Sequence, residues 1–271
     1  MTDFVQGLIL GAVQGVTEWL PISSEGINTL ILIHLFDKPS PEAIATSIWL
    51  HLGTLLAAVV YFRKEVAYLL QHLPQYARER GASSGSEPNA LITFLIVSTV
   101  LTGALGAPLL LINLDREEIT TETITAIIGA LLIVTGLVQR YARSFSGTKT
   151  TTGIKDAVLL GVVQAFSALP GLSRSGLTVS ALLIRGFEAG NAIRLSFLMS
   201  IPVILAAVIG ICLIDEVSFE TIVISSVITA FIFGILTIGA LIRIASRVAF
   251  WKFCLLLGAL SMLPLLIEQL W

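Results

Sequence analysis

Leu10-Gly11-Ala12-Val13-Gln14 and Leu160-Gly161-Val162-Val163-Gln164 are nearly the same passage written twice, one hundred and fifty positions apart. Each copy runs on to a Leu-Pro pair, Leu20-Pro21 and Leu169-Pro170, and then to a Ser/Gly cluster carrying one charge. These clusters are Ile22-Ser23-Ser24-Glu25-Gly26 and Gly171-Leu172-Ser173-Arg174-Ser175-Gly176. Gly7, Gly11 and Gly15 recur at four-residue spacing in the first copy, matched by Ala157, Gly161 and Ala165 in the second. That spacing gives each copy a smooth helix face, which lets another backbone approach closely. Polar, helix-breaking tips set in duplicate within apolar stretches predict a binding site formed between two halves.

The surrounding composition sets the solvent. Of 271 residues 55% are hydrophobic and 13% charged, and the mean hydropathy is +0.93. The chain is therefore a polytopic membrane protein, which excludes a soluble enzyme or a nucleic-acid binder. The net charge of -2 carries little information, because only the distribution of charge among loops matters. Cys212 and Cys254 lie in apolar spans and offer neither a disulfide framework nor metal spacing. The first apolar run starts at Phe4 without a basic leader and contains Gln14 and Glu18, so it reads as mature structure. No P-loop or dinucleotide fingerprint is present, and no ATP coupling is implied.

Six runs are long enough to cross a bilayer: about 44–62, 91–112, 124–138, 195–214, 221–242 and 250–270. Residues 4–36 and 157–187 differ, each broken near its middle by the Leu-Pro and Ser/Gly clusters. Irregular backbone at membrane depth is tolerated only where protein or a water-filled cavity covers it, so these read as re-entrant hairpins. The expected architecture is an all-α polytopic membrane protein with an inverted-topology repeat, each half a re-entrant hairpin plus three transmembrane helices. It forms one membrane domain, 1–271, with repeat 1 about 1–145 and repeat 2 about 151–271.

Loop charges orient it. With hairpins that return to the side they entered, the loops at 63–80, 140–155, 185–194 and 243–252 share one side and collect thirteen Lys and Arg residues. The other side keeps only Lys38 and Arg116 among many acids. The basic side is expected in the cytoplasm and both termini outside. Three crossings per half invert the second copy, so the two tips can meet near the midplane.

Such a meeting point gathers Gln14, Glu18, Ser23, Ser24, Glu25, Ser173, Arg174, Ser175 and Thr178 within apolar walls. Ionisable groups inside a membrane are costly, which marks Glu18 and Arg174 as functional. Gln14 and Glu18, four apart, share a helical face and can point into one pocket. Gly171 and Gly176 permit close backbone approach, the helix starting near Ser175 offers free N–H groups, and Arg174 adds a forked donor. Together these suit a phosphate or diphosphate. Taken singly, Ser23, Ser173 and Ser175 read more readily as helix caps.

Gln14-x-x-x-Glu18 with Pro21-x-Ser23-Ser24, and Pro170-Gly171-Leu172-Ser173-Arg174-Ser175-Gly176-Leu177-Thr178, resemble the paired signatures of the undecaprenyl-diphosphate phosphatase family, also called bacitracin-resistance proteins. The resemblance extends over nearly the whole chain. It implies a plasma-membrane enzyme, its site open to the outer face, that removes the terminal phosphate of a polyprenyl diphosphate and so recycles a lipid carrier for cell-wall or glycan synthesis. It implies Ser24 as nucleophile or close phosphate contact, Glu18 in proton transfer or metal binding, and Arg174 on the diphosphate. Gln14 takes the partner position to Glu18, and Ser23, Glu25, Gly26, Gly171, Ser173, Ser175, Gly176 and Thr178 fall in the substrate-binding segments. It also implies a divalent cation, Mg2+ or Ca2+, with Glu18 and Gln14 as ligands. The implied partners are the polyprenyl diphosphate and membrane lipids, with a homodimer open. The family usually has a His after the Ser-Ser-x-Gly segment, where this chain has Ile27, and Glu25 stands where Thr is common. Glu25, Glu18 or a metal-bound water is expected to carry the proton transfer instead. A second class stays open: a transporter whose inverted halves rock about the same site and carry a phosphorylated lipid without hydrolysis.

The remaining landmarks are weaker. His51, early in a span, and His34, near the end of the first hairpin, read as interfacial or structural. Trp49, Trp251 and Trp271 suit an aromatic belt, and Trp19, beside Glu18, is expected to dry the pocket. Residues 78–89 read as a flexible loop.

Overall fold

A computed structural model describes residues 1–78, 87–114, 120–145, 147–214, 220–245 and 248–268. They form α1 (Asp3–Thr17), α2 (Ser24–Phe36), α3 (Ser40–Tyr61), α4 (Arg63–Arg78), α5 (Glu87–Leu114) and α6 (Thr121–Ala142). The second half follows with α7 (Ile154–Ala165), a 3-10 turn at Phe166–Ala168, α8 (Arg174–Ile184), α9 (Ala189–Ile214), α10 (Thr221–Ala245) and α11 (Phe250–Glu268). The protein is all-α and polytopic. Five helices, α3, α5, α6, α9 and α10, are long and apolar enough to cross a membrane. The sixth expected run is α11, apolar over Phe250–Pro264.

Helices outrun the apolar segments because hydropathy stops at the first polar residue while the backbone continues to its cap. The Glu188 carboxylate accepts from the N–H groups of Gly190 and Asn191 and so opens α9 ahead of the apolar run. Much of the stretch 63–80, expected as a loop, is instead α4, which has no buried residue. Its Tyr76 hydroxyl accepts from Thr93 Oγ1 at 3.1 Å, tying it to α5. Residues 87–89, expected within a flexible loop, are instead the first turn of α5, and 79–86 lie outside the described residues.

The two broken segments form the pairs α1/α2 and α7/α8. Packing is exchanged between halves: α1 lies along α10, and α7 lies along α5. The small-residue faces explain the closeness. A Cβ on Gly15 would stand 2.7 Å from the backbone nitrogen of Gly234, and one on Gly161 would stand 2.9 Å from the carbonyl of Ser98. Cores of Leu, Ile and aromatic side chains fill the space behind the tips, while Phe4, Leu35, Leu236 and Leu256 stay exposed.

Candidate active site

The two tips are built alike. Ser23 caps α2 by accepting from the Gly26 N–H at 3.1 Å, and Ser173 caps α8 by accepting from the Gly176 N–H at 3.0 Å. Each cap also reaches across to the other copy. Ser23 Oγ accepts from the Gly171 N–H at 3.1 Å, and Ser173 Oγ donates to the Ile22 carbonyl at 3.1 Å. Gly171 has φ +107, a conformation that L side chains resist, and its backbone packs on Gly26. A third element holds both tips: on α6, Thr135 Oγ1 bonds to the Gly171 carbonyl and the Ser173 N–H, and Gln139 donates to the Pro21 carbonyl.

At this seam stands Glu18, just past the end of α1. Arg174 Nη2 reaches Glu18 Oε1 at 2.6 Å; Ser24 Oγ donates to Oε2 at 2.7 Å, and Gln14 Nε2 donates to the same oxygen at 3.2 Å. His51 Nε2, from α3, is 3.5 Å from Oε2. The carboxylate and its serine and arginine are all shielded from bulk solvent, where charge-assisted hydrogen bonds are strongest. Arg174 Nη1 also donates to the Ser196 carbonyl at 3.2 Å, and its guanidinium lies 5.8 Å from the centre of the Phe197 ring.

Glu18 forms the polar end of a cavity of about 670 Å3. Ser23, Ser24, Glu25, Ser173, Arg174, Ser175 and His51 line the same end, where α2 and α8 both begin and their helix dipoles favour an anion. Much of the rest is apolar, with Ile48 on α3, Ala107 and Leu110 on α5, and Val203, Ile204 and Ala207 on α9. The other expected site residues stand behind the wall. Gly26, Gly171 and Gly176 set the tip packing, and Thr178 bonds to the Arg174 carbonyl and to Ser196.

Three expectations are corrected. Gln14 does not point into the pocket: it is fully buried, gives its amide N–H to Glu18 and accepts from Asn28 at 2.8 Å, because its helical turn faces α2. Both polar ends of Gln14 are so used, and both Glu18 oxygens are engaged. Trp19 does not wall the cavity, since its ring packs edge-on against Phe197 at 5.5 Å within the core. His51 is not interfacial but part of the site. His34 fits its structural reading, bonded to Thr125 at 2.9 Å along a separate groove. Thr135 and Gln139 carried no signal in the sequence, being ordinary polar residues of a span. Gln164, the repeat partner of Gln14, does line the cavity, and its Oε1 has no partner. So does Glu25, whose buried Oε1 is likewise unpartnered.

A carboxylate, a serine and an arginine thus stand together at one end of a largely apolar cavity in a polytopic membrane protein. Residues 7–263 match the family model described as bacitracin resistance protein BacA, and the chain belongs to that family. It is 48% identical to a protein of Methanococcoides burtonii named undecaprenyl-diphosphatase, over 98% of this chain and 99% of the relative. Proteins of the same name from Haloarcula marismortui and Sulfurisphaera tokodaii are 36% and 34% identical, over 96% and 89% of this chain and 97% and 89% of theirs.

Proposed function

We propose that this protein is an integral-membrane phosphatase that cleaves a polyprenyl diphosphate, the substrate class named in its relatives, to the monophosphate. The observation that carries the reading is the Ser24–Glu18–Arg174 chain at 2.7 and 2.6 Å, placed at the polar end of a cavity whose walls suit a prenyl tail. Ser24 Oγ bonds to the terminal phosphorus while its proton leaves toward Glu18 Oε2. The bond from that phosphorus to the bridging oxygen breaks, and the electron pair departs with the polyprenyl monophosphate. Further N–H donors of the Arg174 fork, with the starts of α2 and α8, take the charge developing on the phosphoryl oxygens. Water then attacks the phosphoserine, Oγ leaves with the bonding pair and gains one proton of the water, and the other stays on the departing phosphate.

The residues present also fit a divalent cation, Mg2+ or Ca2+. The unpartnered carboxylate oxygen of Glu25 would hold it together with the substrate's own oxygens, a mode such cations favour. When bound, it adds positive charge beside the phosphoryl group.

The cavity mouth is lined by Pro41 and Glu42 of α3 and by Glu220 just ahead of α10. These belong to the poorly basic side of the loop-charge split, which supports an opening to the outer face and basic loops in the cytoplasm. A transporter reading draws no support from the names of the relatives.

The test is phosphate release from a polyprenyl diphosphate by detergent-purified wild type, Ser24→Ala and Arg174→Ala, with and without Mg2+ or Ca2+. Release by wild type that collapses in both variants is expected. No release by folded wild type under any metal condition would overturn the reading.

A further inference from the structure

We propose that His51 is the terminal proton acceptor of this site, taking through Nε2 the proton that Ser24 gives up to Glu18. The inference rests on the phosphatase reading. Of the chain's three histidines, only His51 lines the cavity. Its ring is held in one sense. Nδ1 lies 3.0 Å from the Ser47 carbonyl, and a carbonyl only accepts, so Nδ1 carries the hydrogen. Ser47 is itself locked, its hydroxyl donating to Ala43 and meeting Thr29 of α2 at 3.0 Å. In the neutral ring Nε2 therefore presents a lone pair. It lies 3.5 Å from Glu18 Oε2, the oxygen that already receives the Ser24 hydroxyl at 2.7 Å.

The charges around Glu18 drive the proton onward. A proton resting on Glu18 would leave the Arg174 guanidinium buried beside a neutral partner, an arrangement that costs stability. Passing it to His51 restores the Glu18–Arg174 pair and adds a second cation on the other oxygen. In the first half-reaction Oγ–P forms, the P–O bond to the bridge breaks, and the hydroxyl proton travels by Glu18 Oε2 to Nε2. In the second, water attacks phosphorus and the P–Oγ bond breaks. Oγ keeps the pair and gains one proton of the water, the other stays on the departing phosphate, and His51 releases its proton to solvent. The charged groups that share the cavity with the ring are Glu18 at the first tip, Glu25 of α2 and Arg174 of α8, with Glu42 and Glu220 at the mouth.

The experiment measures phosphate release from a polyprenyl diphosphate between about pH 5 and pH 9 for wild type, His51→Asn, which keeps a donor for Ser47, and His51→Ala with added imidazole. The expected result is kcat lower by about 100-fold in His51→Asn with KM changed by less than about threefold, loss of the acid limb of the pH profile, and partial recovery of His51→Ala by imidazole. A folded His51→Asn within about twofold of wild-type kcat across the range would overturn the proposal alone. A uniform fall that keeps the acid limb, with no effect of imidazole, would also overturn it by assigning the ring a structural part. Wild type that releases no phosphate would overturn the phosphatase reading and the proposal with it.

Discussion

Ser24 and Arg174 occupy corresponding positions at the starts of α2 and α8, one hundred and fifty residues apart, and bind opposite oxygens of Glu18 at 2.7 and 2.6 Å. The duplicated tips have thus diverged into a serine, the proposed nucleophile, and an arginine, the proposed anion binder, that share one carboxylate. The second copy has Ala168 where the first has Glu18, so the shared charge comes from one half only.

That shared carboxylate makes the two halves interdependent. Glu18→Gln is expected to lower phosphate release by about 100-fold or more. Arg174→Ala, which strands a buried carboxylate, is expected to cost about 3–5 kcal/mol of stability. Combining them should cost less than the sum, by more than about 1 kcal/mol, in thermal unfolding of the purified protein. Simple additivity would show that the pair does not couple the halves.

The exchanged helix packing predicts a contrast between two glycines. A Cβ on Gly11 would meet the Thr229 Cβ at 2.6 Å and the Ala230 backbone nitrogen at 2.9 Å, whereas one on Gly103 meets nothing within 4 Å. Gly11→Ala should destabilise by about 1–3 kcal/mol, because the obstacle is largely backbone. Gly103→Ala should leave the melting temperature equal or higher, as alanine favours a helix. Equal melting temperatures for Gly11→Ala and wild type would refute the close approach.

Acid should loosen the edge of the second hairpin. Asp156, ahead of the apolar segment, is almost fully buried. Burial pushes its carboxyl up, but Lys149 Nζ at 2.5 Å, Arg185 Nε at 2.9 Å and the Gly153 N–H prevail and hold it below the ordinary aspartate range. With the folded value below the unfolded one, the stabilisation is fully present above about pH 3.9 and is lost as pH falls through the folded value. The wild-type melting temperature should fall in that window. Asp156→Asn should melt lower at neutral pH and lack this component of the acid-side fall, as scans from pH 7 downward will show.

Glu25 sets the cation prediction. Chelation with EDTA should abolish phosphate release, and Mg2+ or Ca2+ should restore it. Glu25→Gln should raise the Mg2+ concentration needed for half-maximal release by about tenfold or more, a range typical of altered metal shells. An unchanged metal titration would remove Glu25 from cation binding.

Much of the site was legible because polar residues inside apolar runs are expensive and so stand out. Glu18, Ser24 and Arg174 were found this way, and Ser23 and Ser173 turned out to be the caps their context suggested. His51 was not legible: between Leu50 and Leu52 it looks like any histidine of a span, and only the packing of α3 against the first tip turns its ring to Glu18. Gln14 misled for the same reason in reverse. Its spacing from Glu18 was right, but the neighbouring Asn28 draws its amide away from the cavity.

The sequence by itself determined the solvent, the spanning helices and the two interrupted hairpins, since hydropathy, glycine spacing and Leu-Pro breaks act on neighbours along the chain. Only the tertiary structure decided which polar atoms meet: Glu18 with Arg174, Ser23 with Gly171, Gln139 with Pro21. Those pairings depend on distances through space across more than a hundred residues, and no local pattern encodes them.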